Sequence, residues 1–338
     1  MGLRRFPAGR RTNLALLVLL AAALLTGALA FAIGGGWGRW AVIAHGVAGI
    51  AIVLLGPWKS AISARGLHRR GPGSWPSIAL AVLVATAVVT GLGHATGLLG
   101  GPAAMQVHVG AGLGSIPFAL WHVLARPVRP RRTDLSRRAV LRGGALAGGS
   151  LLVYGAVEGV VRATSLPGAD RRFTGSYERG SFDPGSMPVT QWLDDSVPEI
   201  DTAAWRLVVS TPGGERGFTH EELAGFDDRV RATLDCTGGW FAAQDWEGVL
   251  LGRLLGDPSE ARSVTVGSLT GYGRRFPIGD AQKLLLATRV GGQSLSAGHG
   301  FPVRLVVPGR RGFWWVKWVN RVEAGATPWW WQSPFPLT

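Results

Sequence analysis

The chain has one cysteine, Cys236, set in Thr233-Leu234-Asp235-Cys236-Thr237-Gly238-Gly239-Trp240. No intrachain disulfide can form, so the thiol is either a small buried hydrophobe or a reactive or metal-bound sulfur. As a thiolate it is a soft ligand suited to a transition metal, and the glycines beside it let the backbone pack close. A second block runs His299-Gly300-Phe301-Pro302-Val303-Arg304-Leu305-Val306-Val307-Pro308, followed by Gly312 and Val316-Lys317-Trp318. Two fixed cations beside an imidazole suit an anionic group such as a phosphate. Taken singly, either cation reads equally well as a strand-surface charge.

A third group is histidine inside apolar runs, where an imidazole is costly unless it is bonded. His45, His94 and His108 fall at one depth, near the outer ends of their segments. His122 follows His108 by fourteen positions, which on an ideal helix is about 21 Å of rise and about 40 degrees of rotation. This spacing resembles the diheme cytochromes b, in which one helix offers an axial imidazole to each of two stacked hemes. The resemblance implies a heme b near the outer face on His45 and His108, with His94 as an alternative ligand or hydrogen-bonding neighbour. A second, inner heme on His122 stays open, with His68 as the other histidine available to it. Gly46, Gly49, Gly110 and Gly112 would let a flat macrocycle approach the backbone. Hydrogen bonding between helices is the alternative for each histidine.

These residues require two kinds of scaffold, and the charge pattern divides the chain accordingly. Residues 1 to 164 hold 17 Lys and Arg against 2 acidic residues, and residues 165 to 338 hold 18 against 19. All of the net charge of +14 therefore lies in the first half. Fifteen of the seventeen basic residues fall in Arg4 to Arg11, Lys59 to Arg70 and Arg126 to Arg142, between apolar runs, which is the positive-inside pattern and speaks against a nucleic-acid partner. Helices are expected near 14–34, 40–57, 76–99 and 103–125, forming an all-α transmembrane four-helix bundle over 1–130 with both ends in the cytoplasm. Residues 131–164 add a motif, Ser136-Arg137-Arg138-Ala139-Val140-Leu141-Arg142, that resembles a twin-arginine export signal, and a fifth helix near 143–161. No clear A-x-A site follows, so that helix is expected to stay as an anchor. The resemblance implies passage through the twin-arginine translocase and a multi-pass membrane protein with residues 165–338 on the extracytoplasmic side.

Residues 165–338 read as a mixed α+β, mostly β domain. Strands are expected at Trp205–Ser210, Ser263–Val266, Val303–Val307 and Trp314–Val322, a capping box at Thr219-His220-Glu221-Glu222, and an amphipathic helix at Trp246–Leu255. The Cys236 segment, Trp246-Glu247-Gly248-Val249-Leu250-Leu251 and the His299 block together resemble the molybdenum-binding core of the sulfite oxidase family. The resemblance implies a molybdenum-molybdopterin cofactor with Cys236 as metal ligand and catalytic residue. It also implies His299 and Arg304 on the pterin and its phosphate, and Trp315, Val316 and Lys317 in the same cradle. Val264-Thr265-Val266-Gly267-Ser268, then Gly271-Tyr272, resembles the family segment near the metal. It offers Ser268 as a cofactor or pocket hydroxyl and Tyr272 as a pocket wall or catalytic proton donor, with loop serine and core tyrosine as alternatives. Pro188-Val189-Thr190-Gln191-Trp192 falls where the family adds a pterin contact, but the aromatic-Arg-Asn pattern of animal and plant sulfite oxidases is missing.

The architecture resembles a bacterial two-subunit system in which an exported molybdenum enzyme reduces protein methionine sulfoxide with electrons from a heme-bearing membrane partner. It implies oxygen-atom transfer on a small-molecule or protein-bound oxide, with electrons exchanged through heme with the quinone pool or another membrane donor. Sulfite-dehydrogenase-type oxidation is the reverse alternative, and a non-catalytic exported binding module the other class. Trp329-Trp330-Trp331 suggests either a membrane contact or a tail packed on the domain itself.

Overall fold

The computed structural model describes residues 9–67, 75–128, 131–191, 195–256 and 261–335. The chain separates into two compact units, Met1–Gly175 and Ser176–Thr338. His68 and Trp192 lie outside the described residues.

The first unit holds α1 (Arg10–Ala32), α2 (Gly38–Leu67), α3 (Trp75–Thr96), α4 (Pro102–Ala125) and α5 (Arg137–Ala163). All five are long and apolar enough to cross a membrane. Helix α1 packs on α2, α3 on α4, and α5 on α2. The buried positions are small ones such as Ala48, Ala51, Ala111, Ser115 and Ser150, while Leu25, Leu29, Val82, Leu120 and Leu124 face outward. That inversion of the water-soluble pattern is what helices packed in lipid require. Helix α5 begins at Arg137 itself, with Ser136 as N-cap, so the paired arginines form its first turn. Residues 165–175, with a single turn at Pro167–Asp170, belong with this helical unit.

The second unit contains two mixed sheets. Its elements are β1 (Tyr177–Glu178), β2 (Leu207–Thr211), β3 (Gly214–Phe218), α6 (His220–Ala224), β4 (Asp228–Cys236) and β5 (Trp240–Leu250), then α7 (Leu251–Leu255), β6 (Ser263–Ser268), β7 (Gly273–Pro277), β8 (Leu285–Val290), β9 (Gln293–Ser294), β10 (Arg304–Val306) and β11 (Val319–Gly325). One sheet has the order β1-β5-β8-β10, with β4 on β5 and β9 on β8; the other is β3-β2-β11-β6-β7. Among the described residues, the strand pairs β1–β5 and β2–β11 are parallel, the other strand pairs antiparallel, and an isolated parallel bridge joins Asp235 to Arg311. Thr219 caps α6 as expected, accepting from the Glu222 N–H while Glu222 accepts from the Thr219 N–H.

Two sequence expectations are corrected. Trp246–Leu255 is not one helix: β5 continues to Leu250, and only Leu251–Leu255 is helical. Along β5, Trp240, Ala242, Gln244 and Trp246 are buried while the residues between them are not, a period of two that the apolar run at its end obscures. The strand expected at Trp314–Val322 starts only at Val319, because Gly312–Trp314 forms a tight turn and Trp318 takes a positive φ of 50°. Between the turn and the strand, the Trp315 and Lys317 side chains line a cleft.

Candidate functional site

That cleft is lined by Cys236, Ser268, Tyr272, His299, Arg304, Trp315 and Lys317, among others. Of the residues expected in the site, Val316 alone of this unit stands behind the wall. It is wholly buried, and its carbonyl accepts the Leu305 N–H at 2.7 Å.

Cys236 ends β4, and the chain turns through Thr237, Gly238 and Gly239 to enter β5 at Trp240. Gly239 has φ +89°, a conformation that costs a side chain strain, so glycine is needed there. The Gly238 N–H points at Sγ from 3.3 Å. Behind the thiol lies a buried polar knot. Arg311 Nη1 donates to Asp235 Oδ1 at 2.6 Å and Nη2 donates to the Cys236 carbonyl at 3.3 Å, while the Ser176 hydroxyl donates to Asp235 Oδ1 at 2.7 Å. Sequence reading missed Arg311, Asp235 and Ser176. No local pattern marks them, because Asp235 and Arg311 lie far apart in the chain and pair only when the two segments meet.

The cations line the same cleft. Arg304 is 2 % exposed, with its guanidinium 5.3 Å from the Trp246 ring centre and 5.7 Å from that of Trp315. Its Nη1 donates to the His299 carbonyl, and its Nε has no hydrogen-bond partner. Burial lowers its pKa to about 10. Burial and then Arg304 hold Lys317 down to about 7. Its ammonium donates to the carbonyls of Thr190 and Gly298 at 2.9 and 2.6 Å and to Gln191 Oε1 at 3.1 Å. Burial, then Arg304 and Lys317, lower His299 to about 4, which leaves it neutral at pH 7. Its Nδ1 bonds Ser296 Oγ at 2.8 Å, and its buried Nε2 has no partner. A buried guanidinium with an unpartnered Nε and an imidazole whose Nε2 has no partner are groups awaiting a ligand. An anionic, hydrogen-bonding heterocycle beside a thiolate-bound metal fits them.

The remaining wall is polar in a different way. Tyr272 donates its hydroxyl hydrogen to the Phe313 carbonyl and is buried, which pushes its pKa well above the usual phenol range. As placed, Tyr272 is a wall. Ser268 Oγ lies 3.2 Å from Thr270 Oγ1, which donates to Asp195 Oδ2 at 3.3 Å, and Asp195 itself lines the cleft. Asp195 was not read from the sequence as a site residue, while Thr190 and Gln191 come from the segment expected to add a pterin contact and Trp240 from the Cys236 segment.

In the helical unit the structure brings His45 and His108 together and places His94 and His122 elsewhere. The rings of His45 and His108 have centres 5.6 Å apart at 88°, with their Nε2 atoms 3.4 Å apart. His45 Nδ1 lies 2.9 Å from the Ala23 carbonyl and His108 Nδ1 lies 2.8 Å from that of Ala87. A carbonyl only accepts, so each Nδ1 carries the proton and each Nε2 carries a lone pair. Two lone pairs face each other, an arrangement that a shared metal ion relieves. A Cβ added at Gly49, Gly110 or Gly112 would meet nothing within 4 Å, so no neighbouring side chain fills those places. Gly46 differs from expectation: the Tyr154 ring fills that place. His94 Nε2 bonds the Gly175 carbonyl at 2.9 Å, and His122 Nδ1 lies 3.0 Å from Ser77 Oγ.

Residues 194–331 match the family described as oxidoreductase molybdopterin binding domain. Mitochondrial sulfite oxidase of Mus musculus is 32 % identical over 164 residues, covering 38 % of this chain and 30 % of its own length. The putative protein-methionine-sulfoxide reductase subunit YedZ1 of Azospira oryzae is 28 % identical over 207 residues, covering 55 % of this chain and 79 % of that protein. Residues 176–338 make up less than half of the chain, so the latter match takes in part of the helical unit. The crystal structure of the sulfane dehydrogenase SoxCD from Paracoccus pantotrophus matches at 27 % identity and a TM-score of 0.36, over 38 % of this chain and 40 % of that one. The chain spans 30 % of the length of the mammalian sulfite oxidases it matches. The second unit is a molybdopterin oxidoreductase domain. The protein is an enzyme, similar in that domain to the sulfite oxidases.

Proposed function

We propose that the protein is a membrane-anchored oxidoreductase that removes an oxygen atom from a sulfoxide or similar oxide outside the cytoplasmic membrane, using electrons delivered through a b-type heme from the quinone pool. The observation that carries this reading is the thiol of Cys236 in one cleft with Arg304, Lys317 and the neutral His299. Bound there, a molybdenum-molybdopterin centre supplies two-electron oxygen-atom exchange. Cys236 would ligate the metal, and Arg304, His299 and Lys317 would hold the pterin and its phosphate. The reaction balances as sulfoxide plus two protons and two electrons giving sulfide and water.

Asp195 and the hydroxyls of Ser268 and Thr270 favour a neutral oxide over an oxyanion, because a carboxylate on the wall repels a like charge. His45 and His108 would hold the heme iron through Nε2. Paired arginines at the start of α5 support the export reading, with the twin-arginine translocase as partner, and the printed name of the Azospira relative agrees with a sulfoxide substrate. The similarity to mitochondrial sulfite oxidases favours the second reading, oxidation of sulfite with electrons passed to the heme.

Anaerobic spectroscopy of the heme band decides between them. Reoxidation of the dithionite-reduced protein by methionine sulfoxide supports the proposal, and reduction of the oxidised protein by sulfite supports the second reading. A band that responds to neither overturns both.

A further inference from the structure

The two helical hairpins of the first unit repeat each other. Ala23-Leu24-Leu25-Thr26-Gly27 on α1 matches Ala87-Val88-Val89-Thr90-Gly91 on α3, and Ala15, Leu16, Val18, Leu19 and Ala21 upstream match Ala79, Leu80, Val82, Leu83 and Ala85. On the second helices, His45, Ala48, Gly49 and Trp58 stand where His108, Ala111, Gly112 and Trp121 stand, each pair sharing the 63-position separation of the two histidines.

The bonding repeats with the letters. Thr26 Oγ1 donates back to the Ala22 carbonyl and Thr90 Oγ1 to that of Thr86, both at 2.6 Å. Each imidazole is held through Nδ1 by the alanine carbonyl three residues before that threonine, on the first helix of its own hairpin. Each also rests on the matching glycine, since a Cβ at Gly27 would stand 3.1 Å from the His45 ring and one at Gly91 2.8 Å from the His108 ring. Neither glycine accepts a side chain without moving a ligand.

Fourteen residues beyond the histidines the copies diverge. α4 carries His122, with Nδ1 at 3.0 Å from Ser77 on α3; α2 carries Lys59, whose ammonium donates to Asn13 on α1 at 3.1 Å. Asn13 and Ser77 are equivalent positions in the repeat. The second level therefore keeps the scheme of a second-helix residue tied to its own first helix, with a different residue in one copy.

We infer that the helical unit is a duplicated hairpin that holds one heme between two copies of the same histidine, and that Lys59 stands where a second bis-histidine site would need its other ligand. The inference rests on the heme reading above. An ammonium has three N–H donors and no lone pair, so Lys59, bonded to Asn13, cannot be the ligand that faces His122 across a second iron.

The test is heme and iron per chain in the full-length protein purified in detergent, read by the pyridine hemochrome spectrum and by elemental iron. One heme per native chain is expected. Lys59→His restores the symmetry and raises the count to two, and adding His122→Asn to it returns the count to one. In the native background His122→Asn leaves the count at one, which decides the matter even if Lys59→His fails to fold. Two hemes in the native chain, or loss of heme on His122→Asn alone, overturn the inference while leaving the heme reading intact. A folded Lys59→His protein that still holds one heme also overturns it. No heme in the native chain overturns the heme reading and this inference together.

Discussion

The guanidinium of Arg311 and the carboxylate of Asp235 pair at 2.6 Å with both side chains only 4 % exposed, and the same guanidinium donates to the carbonyl of Cys236. The pair fixes the turn that presents the thiol. Removing one partner of a buried ion pair leaves an uncompensated charge, which costs about 3–5 kcal/mol. Arg311→Met is expected to destabilise the second unit by that order and to lower molybdenum content. The double change Arg311→Met with Asp235→Leu should recover most of the stability but not the metal. Urea titration and elemental analysis separate the two effects.

Cys236→Ser is expected to abolish turnover and remove molybdenum while leaving the heme spectrum and helical circular dichroism unchanged. Serine can keep the place of Cys236 in the β4–β5 ladder, where it pairs with Trp240. Metal retained in that variant would move the ligand elsewhere.

His299 is held near 4 against an ordinary 6.5, so the unfolded chain takes up a proton first as the pH falls. Its contribution is complete above pH 6.5 and is lost between about 6.5 and 4, amounting to about 3 kcal/mol at most. In cofactor-free protein the melting temperature should fall across that window, and His299→Gln should flatten the fall. Lys317, held near 7 against 10.5, works in the same direction higher up, adding stability as the pH rises from 7 towards 10.5. An unchanged pH profile in His299→Gln would show that another group controls the window.

Substrate charge gives a further prediction. With Asp195 on the cleft wall, Asp195→Asn should raise kcat/KM for an anionic oxide or for sulfite about tenfold relative to a neutral sulfoxide, a difference of about 1.4 kcal/mol. An equal effect on neutral and anionic compounds would assign Asp195 a purely structural role.

Within the helices, His45→Ala or His108→Ala should each eliminate the heme band, whereas His94→Gln should keep it, because His94 Nε2 is bonded to the Gly175 carbonyl. Optical spectra of the three purified variants suffice.

The sequence made the local features legible and hid those that depend on meeting segments. Thr219 with Glu222 was readable because a capping box is a three-residue pattern, and Cys236 with Arg304 and Lys317 because family spacing survives in the letters. Trp246–Leu255 misled because its leucines satisfy a helical period as well as a strand period, and only the ladder with β4 and β8 settles the choice in favour of β5. Asp195 and Arg311 carry no local signature; both become part of the site through contacts with residues distant in the chain, Thr270 and Asp235. His45 and His108 were paired by depth, but the carbonyls of Ala23 and Ala87 that set their tautomers were invisible, since backbone acceptors leave no mark on a sequence.

Trp330 and Trp331 turn their rings outward, 61 % and 68 % exposed, yet the backbone beneath them is fastened down. Arg275 Nη1 donates to the Trp331 carbonyl at 2.7 Å, Arg274 Nη1 to that of Ser333 at 3.0 Å, and Phe335 stacks 5.8 Å from Phe313, which walls the cleft. The tail thus acts as a buttress, and trimming it to probe lipid affinity would also unseat a wall of the pocket. Exchanging the outward indoles for serine, with the strap left in place, reports on the bilayer alone.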